Sequence, residues 1–130
     1  MRTLIIIPVL LFSLLLGTPS YSADLDKGVT PYKNGEYATA FEEWKPLAEQ
    51  GDAATQYFLG FMYHNGKGVT RDYKEAVYLY QLAAEQGHAR AQGNLGAMYA
   101  FGHGVIKDYV YAHMWVNIAS EGWFHTQTRF

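Results

Sequence analysis

One regularity limits what this chain can fold into: displaced by 36 residues, much of the sequence matches itself. The matches run through residues 54–87 and their counterparts 36 positions later, and they include Gln56/Gln92, Leu59/Leu95, Gly60/Gly96, Tyr63/Tyr99, Gly66/Gly102, Gly68/Gly104, Val69/Val105, Asp72/Asp108, Tyr73/Tyr109 and Ala76/Ala112. A fixed period of this size is typical of helical units that stack and bury their apolar faces on one another. The period therefore predicts an all-α repeat architecture.

Each complete unit is predicted to consist of two helices joined by a glycine loop. In the middle unit the helices are residues 53–65 and 73–86, because apolar side chains recur there at helical spacing. Asp52 and Asp72 precede them as capping residues, and Glu75 completes a capping box. Glycine in mid-helix costs about 1 kcal/mol relative to alanine. The repetition of that cost at Gly60 and Gly96 predicts a neighbouring helix that approaches too closely for a larger residue.

The repeat array is predicted to span residues 24–122 as about three helix–turn–helix units. Residues 24–52 form a degenerate unit, 53–88 a complete one, and 89–122 a complete one whose second helix is shortened by one residue. Residues 123–130 have no counterpart and form a C-terminal tail. Their three aromatic residues would be costly to leave in water. We therefore expect the tail to fold back over the third unit, and self-association through that C-terminal unit is the alternative.

Residues 1–23 have the features of a signal peptide. Arg2 supplies a positive start, residues 4–16 are mostly apolar, and residues 17–19 interrupt that run. The run is shorter than the ~20 residues that a spanning helix needs, so no membrane span is expected after removal of this leader. Cleavage is expected after Ser22 or after Ala23. The mature protein is therefore expected to be exported, to the periplasm or out of the cell, with an uncleaved anchor as the alternative.

Composition narrows the functional classes. The chain has no cysteine, which excludes a structural disulfide, a thiolate metal site and a cysteine nucleophile. A formal net charge of −2 argues against a nucleic-acid partner, which requires clustered lysine and arginine. The five histidines form no H-E-x-x-H motif, and the loop Gly66–Lys67–Gly68 lacks the strand and the Ser/Thr of a phosphate-binding loop. Neither a metal nor a cofactor nor a catalytic residue is expected.

With these motifs the chain resembles the Sel-one-like repeat family, relatives of the tetratricopeptide repeats. The family pattern consists of A-x-x-x-L-G-x-x-Y, a G-x-G-V loop, D-x-x-x-A and A-A-x-x-G. The middle unit carries Leu59, Gly60, Tyr63, Gly66, Gly68, Val69, Asp72, Ala76, Ala83, Ala84 and Gly87, and the third carries Ala91, Leu95, Gly96, Tyr99, Gly102, Gly104, Val105, Asp108 and Ala112. The first unit keeps Tyr37, Ala40 and Trp44 but lacks the G-x-G-V loop.

The resemblance implies a right-handed superhelical solenoid whose inner face binds a protein or peptide, in an adaptor or scaffold without catalysis of its own. First helices of successive units line that face. Their polar residues, expected to be exposed there, are therefore the candidate protein-binding residues: Gln56, His64, Gln92 and Asn94. The alternative is a cell-envelope hydrolase of the β-lactamase-like kind associated with cysteine-rich relatives. A third interpretation is a subunit that completes its stack only inside an oligomer.

Overall fold

The computed structural model describes residues 21–127 of the chain, with side chains described for residues 24–122. The predicted signal peptide lies outside this part apart from its last three residues. Within the described range the chain forms six helices and no strand. The helices are α1 (Tyr21–Lys33), α2 (Tyr37–Glu49), α3 (Ala53–Asn65), α4 (Tyr73–Glu85), α5 (Ala89–Phe101) and α6 (Tyr109–Gln127).

The helices pack as three successive pairs, α1 with α2, α3 with α4 and α5 with α6. The pairs then stack through contacts of α2 with α3 and of α4 with α5. This arrangement is an all-α repeat solenoid, so the predicted fold class is confirmed. No helix in the described part of the chain is both long enough and apolar enough to cross a membrane.

Two apolar clusters form the core, one at each junction between units. The first joins α2 to α3 around Trp44, which is 1% exposed and stacks on Phe58 with ring centroids 4.8 Å apart. The second joins α4 to α5 around Tyr80 and Leu95, both fully buried. Because each cluster combines residues of two neighbouring units, no unit can complete its apolar core alone.

Asp52 and Asp72 cap their helices as predicted, but Glu75 does not complete a capping box, because the Asp72 N–H donates to the Tyr63 carbonyl at 3.0 Å. The Asp52 carboxylate accepts the backbone N–H of Thr55 at 2.7 Å, and the Asp72 carboxylate accepts those of Lys74 and Glu75 at 3.0 and 3.1 Å. These bonds satisfy N–H groups that have no partner within the first turn of a helix. At the other end, Gly66 stops α3 in the left-handed conformation with φ of 63°.

The glycine loops dock each unit on the preceding one. A Cβ atom added to Gly68 would lie 2.6 Å from the carbonyl carbon of Tyr37, and one added to Gly104 would lie 2.6 Å from that of Tyr73. Tyr37 and Tyr73 are the first residues of α2 and α4. The second glycine of the loop is therefore needed because backbone meets backbone, and not only because φ is positive.

The two mid-helix glycines lie at close helix contacts, as predicted, but the neighbouring atoms differ. A Cβ at Gly96 would lie 3.0 Å from both the Ala112 carbonyl oxygen and Cγ2 of Val116, so α6 backbone and a side chain limit the space there equally. A Cβ at Gly60 would first meet the ring of Tyr80, at 2.8 Å, with the Ala76 carbonyl oxygen at 3.4 Å. A buried side chain is therefore the closer neighbour at Gly60.

The fold-back expected of the C-terminal tail is wrong for residues 123–127, which continue α6. The chain leaves α2 and α4 through Gly51 and Gly87, whose φ angles are 99° and 88°. Gly122 stands at the corresponding place in the third unit, but it remains helical. Extending a formed helix avoids the unfavourable nucleation step that would limit an isolated segment of this length. Side chains beyond residue 122 and residues 128–130 lie outside the description.

Candidate functional site

Two of the four predicted binding residues, Gln56 and Gln92, are only 3% and 4% exposed. The Gln56 side-chain amide donates to the Ala48 carbonyl at 3.1 Å, and that of Gln92 donates to the Ala84 carbonyl at 3.0 Å. These carbonyls belong to the last turns of α2 and α4, and they also accept the backbone N–H groups of Gly51 and Gly87. The expectation that both glutamines are exposed is therefore wrong, because their amides are buried on the second acceptor positions of carbonyl groups in the preceding unit.

Gln56 also joins a third helix. Its side-chain oxygen accepts the amide of Gln86, the residue that follows α4, at 2.8 Å. Two consecutive hydrogen bonds, from Gln86 to Gln56 and from Gln56 to the Ala48 carbonyl, thus connect the ends of α4 and α2 through α3. This network has a structural role, since it pairs the buried Gln56 amide with groups at the ends of two other helices, although Gln86 itself is exposed.

The other two predicted residues, His64 and Asn94, are partly exposed, and the structure brings them together at Tyr80. The side chain of Asn94 acts on the Tyr80 hydroxyl, and it lowers the pKa of the phenol against the larger effect of burial. That hydroxyl in turn lies 3.4 Å from Nδ1 of His64. The phenol is fully buried, and burial raises the pKa of Tyr80 well above its usual value. It is therefore protonated at neutral pH and can donate.

The protonation state of His64 follows from its surroundings. Burial is the main cause that lowers the pKa of His64, and the nearby His103 and Arg71 lower it further. A neutral imidazole has one acceptor and one donor nitrogen. A Tyr80 hydroxyl that donates to Nδ1 of His64, 3.4 Å away, leaves the hydrogen of the neutral imidazole on Nε2. Nε2 of His64 is then the donor that this pair of residues can offer to a ligand.

Around this centre, aromatic and imidazole rings form one continuous series, which we call the ring row. Neighbouring centroids in the row are separated by 4.6–6.2 Å, as expected for interacting rings. In order, the ring row consists of His88, Tyr57, Tyr80, His64, Tyr73, His103 and Phe101. The Arg71 guanidinium lies 5.0 Å from the centroid of Tyr73, which adds a cation to the row.

The ring row is accessible along most of its length. Tyr80 is fully buried, but Phe101 is 70% exposed, and the remaining five rings are half-buried. A surface that combines partly exposed rings with a buried, hydrogen-bonded support resembles the anchor regions of protein interfaces. The row crosses the junction between the second and third units, so it exists only in the stacked protein.

Sequence reasoning missed His103 and Tyr73, although the repeat contains a signal for both. Lys67 and His103 occupy the same position of the glycine loop, 36 residues apart, and so do Tyr37 and Tyr73. In the earlier unit the Lys67 ammonium lies 5.0 Å from the Tyr37 centroid, and in the later unit His103 stacks on Tyr73 at 4.6 Å. The middle residue of each loop therefore covers the first aromatic ring of the preceding second helix.

Catalytic and metal-binding arrangements gain no support from the described residues. Among them no group of three or more His, Asp or Glu side chains could hold a metal ion. The Ser120 hydroxyl donates to the Asn117 carbonyl of its own helix at 2.7 Å. A groove of about 640 Å³ lies between α2 and α4 with α3 as its floor, but it shares no residue with the ring row.

Two solved structures resemble the fold. One is a protective antigen present in uropathogenic Escherichia coli strains and displaying an SLR fold, with a TM-score of 0.72 and 41% identity over 77% of this chain and 22% of that chain. The other is a Sel1 repeat protein from Oxalobacter formigenes, with a TM-score of 0.71 and 36% identity over 75% of this chain and 40% of that one. The chain thus spans less than half of either relative.

A curated relative shares a shorter stretch. The exopolysaccharide production negative regulator of Rhizobium leguminosarum bv. viciae is 40% identical over 53 residues, which are 41% of this chain and 20% of that protein. The family model that describes the Sel1 repeat matches residues 53–88 and 89–122, the stretches that hold α3 to α5 and most of α6. These matches cover more than half of the sequence, and the chain belongs to the Sel1 repeat family.

Proposed function

We propose that this chain is an adaptor that binds a protein or peptide segment on the ring row and has no catalytic step of its own. The observation that carries the proposal is the continuous series of partly exposed rings over the buried Tyr80, whose hydroxyl lies 3.4 Å from Nδ1 of His64. Aromatic residues are enriched in the centres of protein interfaces because they bury much area for little conformational entropy. Sel1 repeats are typically protein–protein interaction units, which supports the same function.

The groups along the ring row indicate which ligand chemistry fits. Its polar groups beside the rings are mostly donors: Arg71, the Nε2–H of His64 and the amide of Asn94. A peptide segment that presents carbonyl or carboxylate oxygens together with apolar side chains would complement both the donors and the rings. The rhizobial relative is named as a regulator, and an adaptor role for this chain is consistent with that name.

We expect substitutions in the ring row to weaken binding without unfolding the protein. The test captures ligands from a cell-envelope extract by cross-linking and mass spectrometry, with wild type, Phe101→Ala and His64→Ala compared. Truncating an interface anchor typically costs more than 1 kcal/mol, so capture should fall by roughly fivefold or more. Tyr78→Ala is the matched control, because Tyr78 is 59% exposed on α4 and lies outside the row.

Two results would contradict this site assignment. Equal capture by Phe101→Ala and the wild type would place the ligand elsewhere. An equal loss with Tyr78→Ala would indicate either a nonspecific aromatic contribution or a ligand in the groove between α2 and α4, which Tyr78 lines. Melting temperatures measured on the same samples separate lost binding from lost folding.

We also propose that the adaptor acts outside the cytoplasm. Support comes from residues 1–23, whose positive start, apolar run and small residues at the end are typical of a cleaved leader. Fractionation of expressing cells should recover the protein outside the cytoplasm, with an intact mass that corresponds to cleavage after Ser22 or Ala23. Recovery of the full-length mass in the cytoplasmic fraction would overturn this part of the proposal.

A further inference from the structure

The exposed apolar surface of the described residues is concentrated in the third unit. Eight large apolar side chains are exposed among the described residues, and seven of them belong to the third unit. The eighth, Tyr78, belongs to the second unit. The other seven are Phe101, Ile106, Tyr109, Val110, Met114, Val116 and Ile118. Five of these lie on α6, so this helix presents apolar side chains to solvent as well as to the core.

Part of this surface corresponds to an interface that is already formed once in the molecule. α4 uses Tyr73, Val77, Tyr80 and Ala84 at its junction with α5. The residues 36 positions later, Tyr109, His113, Val116 and Ser120, lie on one side of α6, and we call them the end strip. In α4, Val77 and Tyr80 are 7% and 0% exposed, whereas Tyr109 and Val116 of the end strip are 60% and 48% exposed. The end strip therefore continues the established helix interface, and apart from the contact of Val116 with α5 at Gly96 its side chains are exposed among the described residues.

The absence of charge over the first twelve residues of α6 supports a helix partner. Residues 109–120 contain no Asp, Glu, Lys or Arg, whereas the corresponding stretch of α4 carries Lys74 and Glu75 and that of α2 carries Glu42, Glu43 and Lys45. Lys74 is replaced by Val110 and Glu75 by Tyr111. A helix that is apolar on most sides is normally buried. Symmetric pairing also requires a surface on which like charges do not meet, and this stretch meets that requirement.

The other end of the array does not fit this face. In α3, Met62 belongs to the core cluster that joins α3 to α2, and Tyr63 packs against that cluster. The residues 36 positions earlier, in α1, are Asp26 and Lys27, and both are exposed. Head-to-tail stacking of two copies would set these charges against the end strip, at the cost of desolvating them. The chain also does not turn back at Gly122, since α6 continues to Gln127. A symmetric arrangement of two α6 helices avoids both difficulties.

We propose that a second copy of this chain covers the end strip, with the two α6 helices packed antiparallel about a twofold axis. The middle of the strip lies between His113 and Val116. Antiparallel pairing centred there sets His113 of one copy beside Val116 of the other, and Tyr109 opposite Ser120. The contact is isologous, so it closes as a dimer and does not extend into a fibre. The ring row lies at the junction of the second and third units and remains available in both copies.

The test measures the mass of the wild-type protein by light scattering at concentrations from roughly 1 to 100 µM, a range in which dimers of micromolar Kd dissociate. We expect a dimer whose melting temperature rises with concentration. His113→Glu should be monomeric, with a dimer Kd at least roughly a hundredfold higher, because two carboxylates would meet near the twofold axis. His113 is exposed, so the substitution should not disturb the fold of one copy.

Tyr78→Glu is the control, since it also adds a carboxylate at an exposed ring but on α4. It should leave the dimer unchanged. A wild-type monomer at the highest concentration would overturn the proposal, as would a His113→Glu protein that remains dimeric. Ligand capture by the monomeric His113→Glu protein should equal that of the wild type, so failure of the dimer and failure of the ring-row function can be told apart.

Discussion

Replacing Gly104 by alanine is expected to lower the free energy of unfolding by roughly 2–5 kcal/mol. Two costs combine at this position. With φ of 71° the backbone is left-handed, which costs a non-glycine residue about 1–2 kcal/mol. The added Cβ would also lie 2.6 Å from the Tyr73 carbonyl carbon and oxygen and 2.8 Å from the Lys74 nitrogen. Backbone atoms cannot rotate away, so the third unit must shift from α4.

Gly87→Ala is the matched control for the strain alone. Its φ is 88°, but a Cβ there would meet no atom within 4 Å. It should therefore cost only the conformational part, about 1–2 kcal/mol. Chemical denaturation of both variants and the wild type measures the difference. If Gly104→Ala and Gly87→Ala lose the same free energy, docking of the loop on Tyr73 contributes nothing beyond the glycine conformation.

The helices and their order could be predicted because the same helix-ending and helix-capping residues recur at the same positions of more than one unit. Gly66 and Gly102 both stop a first helix, and Asp72 and Asp108 both cap a second one. A boundary supported by two independent copies is less ambiguous than one taken from propensity alone. All six helices follow the predicted order, and the main difference is the extension of α6.

The error at Gln56 and Gln92 has a general cause. Both were placed on the surface because glutamine is usually exposed. Their repetition at the same position was equally compatible with a structural role, and the partner that decides it is a backbone carbonyl, which leaves no trace in the side-chain pattern. The carbonyls of Ala48 and Ala84 already accept Gly51 and Gly87 N–H groups, and the glutamine amides occupy their second acceptor positions.

The ring row could not be assembled from sequence for a different reason. Its members come from α3, α4, the cap and the last residue of α5, and the loop after α5, at separations that do not follow the period. His64 and Asn94 were chosen because of their place on first helices, yet what unites them is Tyr80, a buried residue of a second helix. A functional surface at a junction between units depends on how the units stack, and the internal pattern of one unit does not contain that information.

Replacing Gly60 by leucine is the second substitution from which we expect a large loss, roughly 3 kcal/mol or somewhat more, at the upper end of what overpacking costs. Even a Cβ would lie 2.8 Å and 2.9 Å from two ring carbons of Tyr80. That ring cannot move freely, because it is fully buried and its hydroxyl interacts with Asn94 and approaches His64. For a domain of this size the loss corresponds to a fall in melting temperature of roughly 12–24 °C.

Gly93→Leu is the control, since Gly93 also lies inside a first helix but no atom comes within 4 Å of a Cβ placed there. The control should gain up to about 1 kcal/mol from its better helix propensity. Thermal unfolding followed by circular dichroism reads both changes. If the Gly60→Leu protein had the same melting temperature as the wild type, α3 and α4 would not be held as close together as the structure shows. When the distance is as described, displacement of Tyr80 separates His64 from Asn94, and the same variant should also lose ligand capture on the ring row.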